Sequence, residues 1–157
     1  MLRTPCEPVT SFDESLRSLV RDLLDTIDAA PGRAAVAANQ IGVGLRVFAY
    51  DAAGERGHLV NPTLVVGEES QHDDEGCLSL PGLAFATTRA EHVMAHGFDE
   101  RGEPLAIEAT GFLARALQHE TDHLDGFLYI DRLVGDQRRQ ALRAVRASGW
   151  GRPTAVR

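Results

Sequence analysis

The chain contains no lysine, so all 16 of its basic residues are Arg; we read this as the codon usage of a GC-rich genome and draw no function from it. Cysteine is almost as scarce. Cys6 and Cys77 are too few for the disulfide framework on which small secreted domains depend, and Cys6, with no motif around it, is read as plain burial. No stretch approaches the ~18 apolar residues of a membrane span, and the opening Met1-Leu2-Arg3-Thr4-Pro5-Cys6 lacks the apolar core of a secretory signal. These absences set the expectation of a soluble, cytoplasmic protein without a membrane partner. Internal repeats and low-complexity segments are missing too.

The 157 residues suit a single domain, 1–157, of a size that buries roughly 68–70% of the surface its unfolded chain exposes. The net charge of −7 argues against DNA or general nucleic-acid binding, but it is unevenly placed. Between Arg132 and Arg157 seven Arg face Asp136 alone, leaving that segment at +6 and the remainder at −13. Residues 136–157 are therefore read as a basic C-terminal helix, Asp136 to Ala147, with a tail frayed by Gly149, Gly151 and Pro153.

Hydrophobic periodicity predicts the other elements. Phe12, Leu16, Leu19, Val20, Leu23, Leu24 and Ile27 recur at helical steps behind Ser11 and Asp13 as candidate N-caps, up to Pro31-Gly32. Arg46 to Tyr50, Leu59 to Val66 and Leu83 to Thr88 read as strands, with Pro62 marking an edge or bulge. His92 to Phe98 and Pro104 to Ala109 flank Asp99-Glu100-Arg101-Gly102, a hairpin turn. Thr110 to Asp125 returns to helical spacing and stops at Gly126, a natural residue just past a helix end. The predicted class is α+β: mainly antiparallel β-sheets around a central helix, with an N-terminal and a C-terminal helix.

That central helix carries His119-Glu120-Thr121-Asp122-His123. Two imidazoles four residues apart share one helix face and can reach one ion, while Glu120 stands close without being needed as a ligand. A pair of surface or core histidines is the plain alternative, weakened by the neighbouring Glu120. A zinc protease would need a third ligand, and no Glu, His or Asp downstream stands at a fitting spacing. Upstream, Glu75-Gly76-Cys77-Leu78-Ser79-Leu80-Pro81 offers a thiol in a Gly- and Pro-bounded loop, and Cys77 is the best third ligand. Three protein ligands leave one tetrahedral position open for water, whose pKa a metal lowers toward neutrality. A third segment, Arg33-Ala34-Ala35-Val36-Ala37-Ala38-Asn39-Gln40-Ile41-Gly42, brings small residues up to one amide, and alone signals no more than close packing.

Together the three segments resemble the peptide deformylase family, whose marks are a Gly-rich stretch ending in Ala-Ala-x-Gln, the Glu-Gly-Cys-Leu-Ser loop and His-Glu-x-x-His. The resemblance extends through Leu2-Arg3 to Val9, Asn61-Pro62, and Gly111 to Arg132, and His119 follows Cys77 by 42 residues, as the family pattern implies. It implies hydrolysis of an N-formyl amide, with Cys77, His119 and His123 on one Fe2+ or Zn2+ ion, for which Ni2+ or Co2+ can substitute. Glu120 would then take a proton from water and pass it to the leaving amine. Gln40 and the Leu78 N–H would donate to the developing oxyanion.

On the same resemblance Glu75 and Arg89 pair to hold the cysteine loop, the alternative being two separate surface charges; Asp122 is left in a supporting or surface position. Arg33, Ala34 and Ala35 would line the substrate groove, with Val36, Leu80, Leu83 and Leu117 as walls of an apolar pocket for a methionine side chain. The partner would be an N-formylated peptide. Arg139, Arg143 and Arg146 on one face of the last helix would contact ribosomal RNA, or else form a solvated face. Arg33 and Ala35 depart from the pattern, standing where it has glycine, and the N-terminus is shortened. Both differences leave open a paralogue acting on a small formylated amine or giving tolerance to deformylase inhibitors. A non-catalytic metal-site protein and a zinc endopeptidase are the remaining alternatives, the first disfavoured by Glu120, which a structural site does not need.

Overall fold

In the computed structural model, which describes residues 1–150, helix α1 (Glu14–Asp28) starts where the sequence predicts. The Asp13 carboxylate accepts the Leu16 N–H at 3.2 Å, satisfying one of the amides that a helix start leaves free. Seven strands follow or interleave: β1 (Ala35–Ala37), β2 (Val47–Ala52), β3 (Glu55–Val66), β4 (Ser70–Gly76), β5 (Ala84–Ala90), β6 (His92–Phe98) and β7 (Pro104–Thr110). Helices α2 (Gly111–Leu124) and α3 (Gly135–Ser148) complete the order, with 3-10 turns at Ala38–Ile41 and Tyr129–Arg132. The expected α+β class is what the chain adopts. Among the described residues no helix is long and apolar enough to cross a membrane.

Five strands form one antiparallel sheet in the order β1-β2-β3-β6-β7, and β4 and β5 form a separate antiparallel ribbon. Period-two alternation sorts the large sheet's side chains onto two faces. Phe48, Tyr50, Leu59, Val93 and Ala95 pack with Leu113, Leu117 and Leu124 of α2. Val36, Val47, Ala49 and Val60 pack with Leu16, Leu19, Leu23 and Ile27 of α1. Each fully buried Val, Leu, Ile or Phe side chain among them contributes about 1.5–3 kcal/mol relative to exposure.

Pro62 does mark a bulge, in a strand that lies inside the sheet and not at its edge. The β3–β6 register shifts between Val60 and Thr63, Asn61 takes φ 51°, and its amide exchanges two hydrogen bonds with the Val9 backbone, at 2.8 and 2.9 Å. Gly97 is required opposite, because a Cβ there would stand 2.5 Å from the Val60 carbonyl oxygen.

The chain's beginning crosses the end of α2, where Cys6 donates its N–H to the Leu124 carbonyl at 2.8 Å. Helix α3 buries Ala141 and rests Leu142 and Val145 on Leu80, Leu128, Ile130 and Leu133. Its end at Gly149 falls inside the predicted fraying segment; Gly151, Pro153 and the rest of the predicted tail lie outside the described residues.

Two strands escaped the sequence reading. β1 is three residues long, and β4, of which the sequence reading places only Glu75-Gly76, in the cysteine loop, is polar throughout with only Glu75 buried. Neither shows the alternation from which a strand is recognised.

Candidate active site and metal centre

One helical turn of α2 puts the His119 and His123 rings on the same face, with their Nε2 atoms 3.2 Å apart. Cys77 enters from the end of β4, in a turn closed by the Leu80 N–H on the Cys77 carbonyl at 3.0 Å. Its Sγ lies 3.3 Å from His123 Nε2, and all three ligand-type atoms fall within 4.8 Å of one another. Donors held tetrahedrally at about 2.0–2.3 Å from an ion stand about 3.3–3.6 Å apart. The spacing and the thiolate–imidazole chemistry of the set therefore fit one divalent cation.

His119 is oriented from behind. Its Nδ1 meets Glu75 Oε1 at 2.6 Å, which turns Nε2 toward Cys77 and His123. The same Glu75 accepts Arg89 Nε at 3.0 Å, Arg89 NH2 at 2.6 Å and Arg115 NH1 at 2.7 Å, so the expected Glu75–Arg89 pairing is present in the fold and buried. Arg89 also donates to Asp122 at 2.6 Å, and Asp122 accepts two hydrogen bonds from Arg132. Burial works against ionising Glu75, but the hydrogen bonds from His119 and Arg89 outweigh it and hold its carboxyl at about 2. Burial likewise disfavours a proton on His119, yet its bonds to Cys77 and Glu75 raise its pKa; burial and the neighbouring His119 lower that of His123.

Glu120 is buried beside this cluster, and its Oε2 has no hydrogen-bond partner among the described residues. Burial lifts its carboxyl to about 7, with His119 opposing, in the range useful to a general base at neutral pH. Gln40 sits in the first 3-10 turn. Its Oε1 accepts the Ala37 N–H at 2.8 Å, which leaves Nε2 directed at Ser79 Oγ (3.1 Å) and the Cys77 sulfur (3.9 Å).

A cavity of about 540 Å³ opens onto the cluster, within the range of small-ligand sites. Its lining includes Arg33, Ala34, Ala35, Gln40, Cys77, Leu78, His119 and Glu120. The four predicted apolar walls are not part of that lining. Val36 alternates away from Ala35 to the α1 side of β1, Leu117 is in the core with Phe48 and Leu59, and Leu80 and Leu83 pack under α3. Pro81, Gly82, Phe112 and Ala116 line the cavity instead. Arg33 turns back onto α1, donating to the Thr26 carbonyl at 2.5 Å.

Comparison with known proteins agrees with this geometry. Residues 1–139 match the model of the family described as Polypeptide deformylase. The chain belongs to that family. A peptide deformylase of Acidothermus cellulolyticus is 56% identical over 154 residues, covering 98% of this chain and 85% of that one. The crystal structure of a peptide deformylase from Legionella pneumophila superposes with TM-score 0.85 at 41% identity, covering 94% of this chain and 88% of that one. The peptide deformylase of Thermus thermophilus gives TM-score 0.86 at 38% identity, over 93% and 87%. Polypeptide deformylases are amidohydrolases acting on formylated nascent chains, and the chain is an enzyme of that kind.

Within this deformylase, sequence reasoning missed Arg115 and Arg132 and left Asp122 undecided. Arg115 and Asp122 are buried and, with His119, occupy helix positions i, i+4 and i+7. A charged stripe at that spacing beside the histidine face is the signal that was available. Asn39, which donates to the His123 carbonyl at 2.7 Å, carried no such signal.

Proposed function

We propose that this deformylase holds one divalent ion on Cys77, His119 and His123 and uses Glu120 to move the protons of formyl-amide hydrolysis at the N-terminal formylmethionine of new polypeptides. The observation that carries this reading is the spacing of the three ligand atoms, 3.2 and 3.3 Å between neighbours, beside a buried carboxylate with a free oxygen. The ion would supply Lewis acidity, bringing the pKa of a water toward neutrality. Fe2+ or Zn2+ is the cofactor we infer, with Ni2+ or Co2+ as substitutes, since one thiolate and two imidazoles suit all four.

Glu120, with its carboxyl near 7, accepts the proton of the attacking water and returns it to the leaving amine. Gln40 Nε2, anchored through its own oxygen on Ala37, and the Leu78 N–H donate to the formyl oxygen as negative charge grows there. The peptide beyond the formyl group lies extended along the strand edges that border the cavity. Among the described residues β1 pairs only with β2, and β4 only with β5, so each offers a second edge that can hydrogen-bond an added strand. Phe112, Ala116 and Pro81 offer apolar surface to the methionine side chain.

The whole chain works as one domain in the cytoplasm, and the exposed Arg139, Arg143 and Arg146 of α3 suit contact with ribosomal RNA. The test is Glu120→Ala. Full metal content with formate release down ~10²–10⁴-fold supports the assignment, whereas equal loss of metal and activity makes Glu120 a ligand or a structural residue.

A further inference from the structure

Cys77 and the two histidines are carried by different parts of the fold. The histidines ride on α2, which packs by apolar side chains on the five-stranded sheet. Cys77 hangs from the β4–β5 ribbon, which among the described residues is hydrogen-bonded to no third strand. Where ribbon meets helix, Ala90 packs against the apolar cluster of α2 and the side-chain bonds are polar. Gln118 brackets the Ala90 backbone with two hydrogen bonds of 3.0 Å, and Gln71 donates to the Gly111 carbonyl at 2.7 Å. Arg115 of α2 also donates to Gln71 Oε1 of β4 at 3.2 Å, and the ionic contacts are Arg115 and His119 of α2 on Glu75 of β4, and Arg89 of β5 on Asp122 of α2.

The ionic contacts form a line of alternating charge running from the surface to a metal ligand: Arg132, Asp122, Arg89, Glu75, His119. Side chains of Arg89 and Glu75 are 4% exposed, Asp122 is 9% exposed, and Arg132 is 49% exposed. Arg132 grips Asp122 through both Nε (3.0 Å) and NH2 (2.5 Å), and its guanidinium lies 5.6 Å over the Phe127 ring. A two-point grip leaves the carboxylate a single orientation, which presents Oδ2 to Arg89. Arg89 in turn fixes Glu75, two residues before Cys77.

We propose that Asp122 and Arg132 are positioning residues that latch the β4–β5 ribbon onto α2 and thereby set the Cys77 sulfur at bonding distance from the ion shared with the histidines. This rests on the reading of Cys77 as a ligand. Loosening the latch shifts the ribbon's end, which carries Cys77 itself but reaches His119 only through the Glu75 bond to its ring, while both histidines stay anchored on one helix. The thiolate is therefore the ligand that weakens first.

The experiment uses Co2+-loaded protein in a Cys6→Ser background, so that Cys77 is the sole thiol. Arg132→Met, Asp122→Asn and Arg132→Lys are compared with wild type and with Arg138→Met, an exposed α3 arginine outside the latch. The readouts are the thiolate-to-cobalt charge-transfer absorption, the alkylation rate of Cys77, Co2+ release to a chelator, and the thermal midpoint. Arg132→Met and Asp122→Asn are expected to weaken the absorption and to speed alkylation and release by ~10-fold, at the lower end of losses seen when outer ligand contacts are cut. Arg132→Lys, with one contact in place of two, falls between, and Arg138→Met matches wild type. A wild-type absorption and alkylation rate in Arg132→Met overturns the proposal, even if the midpoint falls, because the latch is then only structural. Should Asp122→Asn not fold, the Arg132 variants decide alone. Cobalt bound by wild type without any thiolate absorption overturns the ligand reading of Cys77 itself, and the latch with it.

Discussion

Replacing Glu75 with Gln removes one negative charge and one acceptor oxygen from a buried hub and changes the volume hardly at all. In the native site the two carboxylate oxygens take four hydrogen bonds: two from Arg89, one from Arg115 and one from His119, at 2.6 to 3.0 Å. A Gln can accept with only one of its two ends, so the NH2 end meets at least one donor head-on. Hydrogen bonds to charged groups contribute about 1.5–3 kcal/mol each, and losing two of them gives about 3–6 kcal/mol. That agrees with the roughly 3–5 kcal/mol cost of breaking a buried ion pair from one side. For a domain near 150 residues each kcal/mol moves Tm by about 2–4 °C, so Glu75→Gln should melt some 6–20 °C lower.

The metal site should suffer separately, because Glu75 selects which His119 nitrogen faces Cys77 and His123. Loss of such a partner typically weakens metal affinity about 10–100-fold. Thermal unfolding followed by circular dichroism and a chelator competition with Zn2+ measure the two effects. A Tm within about 2 °C of wild type with unchanged Zn2+ affinity would refute the reasoning, since the hub would then carry neither stability nor ligand orientation.

Gln40→Leu keeps the bulk of the side chain but removes a donor to the oxyanion, and steady-state kinetics should show kcat down ~10²–10³-fold; a change confined to KM would remove Gln40 from the chemistry. Acid stability follows from Glu75, whose folded carboxyl at about 2 lies below its usual 4.5. A depressed folded pKa stabilises above the unfolded value, so about 3 kcal/mol should be present above pH 4.5 and lost as pH falls toward 2, and Glu75→Gln should flatten that part of a denaturant titration series. Restoring glycine at Arg33 and Ala35 removes two Cβ atoms from the cavity wall and should raise kcat/KM for formyl-Met peptides mainly through KM; an unchanged value means that neither side chain narrows the groove.

Much of the molecule can be read from the chain because local physics decides it. The Asp13 cap, the α1 stripe, the Asp99–Gly102 turn and the Gly126 stop each depend on residues within a few positions. The spacing of His119 and His123 is equally local. What escapes is set by contacts remote in sequence. The polar run Ser70–Gly76 is a strand because it pairs with β5 along all its length, and its one buried residue, Glu75, is met by Arg89, Arg115 and His119, the last two from 40 and 44 positions away. The cavity walls were misassigned for a related reason: hydrophobicity identifies Val36, Leu80, Leu83 and Leu117 as buried, which they are or nearly are, but not which core they enter. Arg115 and Asp122 look like exposed helix charges until the β4–β5 ribbon covers them.

The central claim is that one ion on Cys77, His119 and His123 serves the hydrolysis of a formyl amide. Its most direct test is to quantify metal and formate together on anaerobically prepared protein given a formyl-Met peptide and the same peptide without its formyl group. The account predicts one divalent ion per chain, catalytic release of formate with a free amine from the formylated peptide, no cleavage of the unformylated one, and loss of turnover when the ion is chelated. Undiminished turnover after complete chelation, or cleavage of the unformylated peptide at a comparable rate, would contradict it.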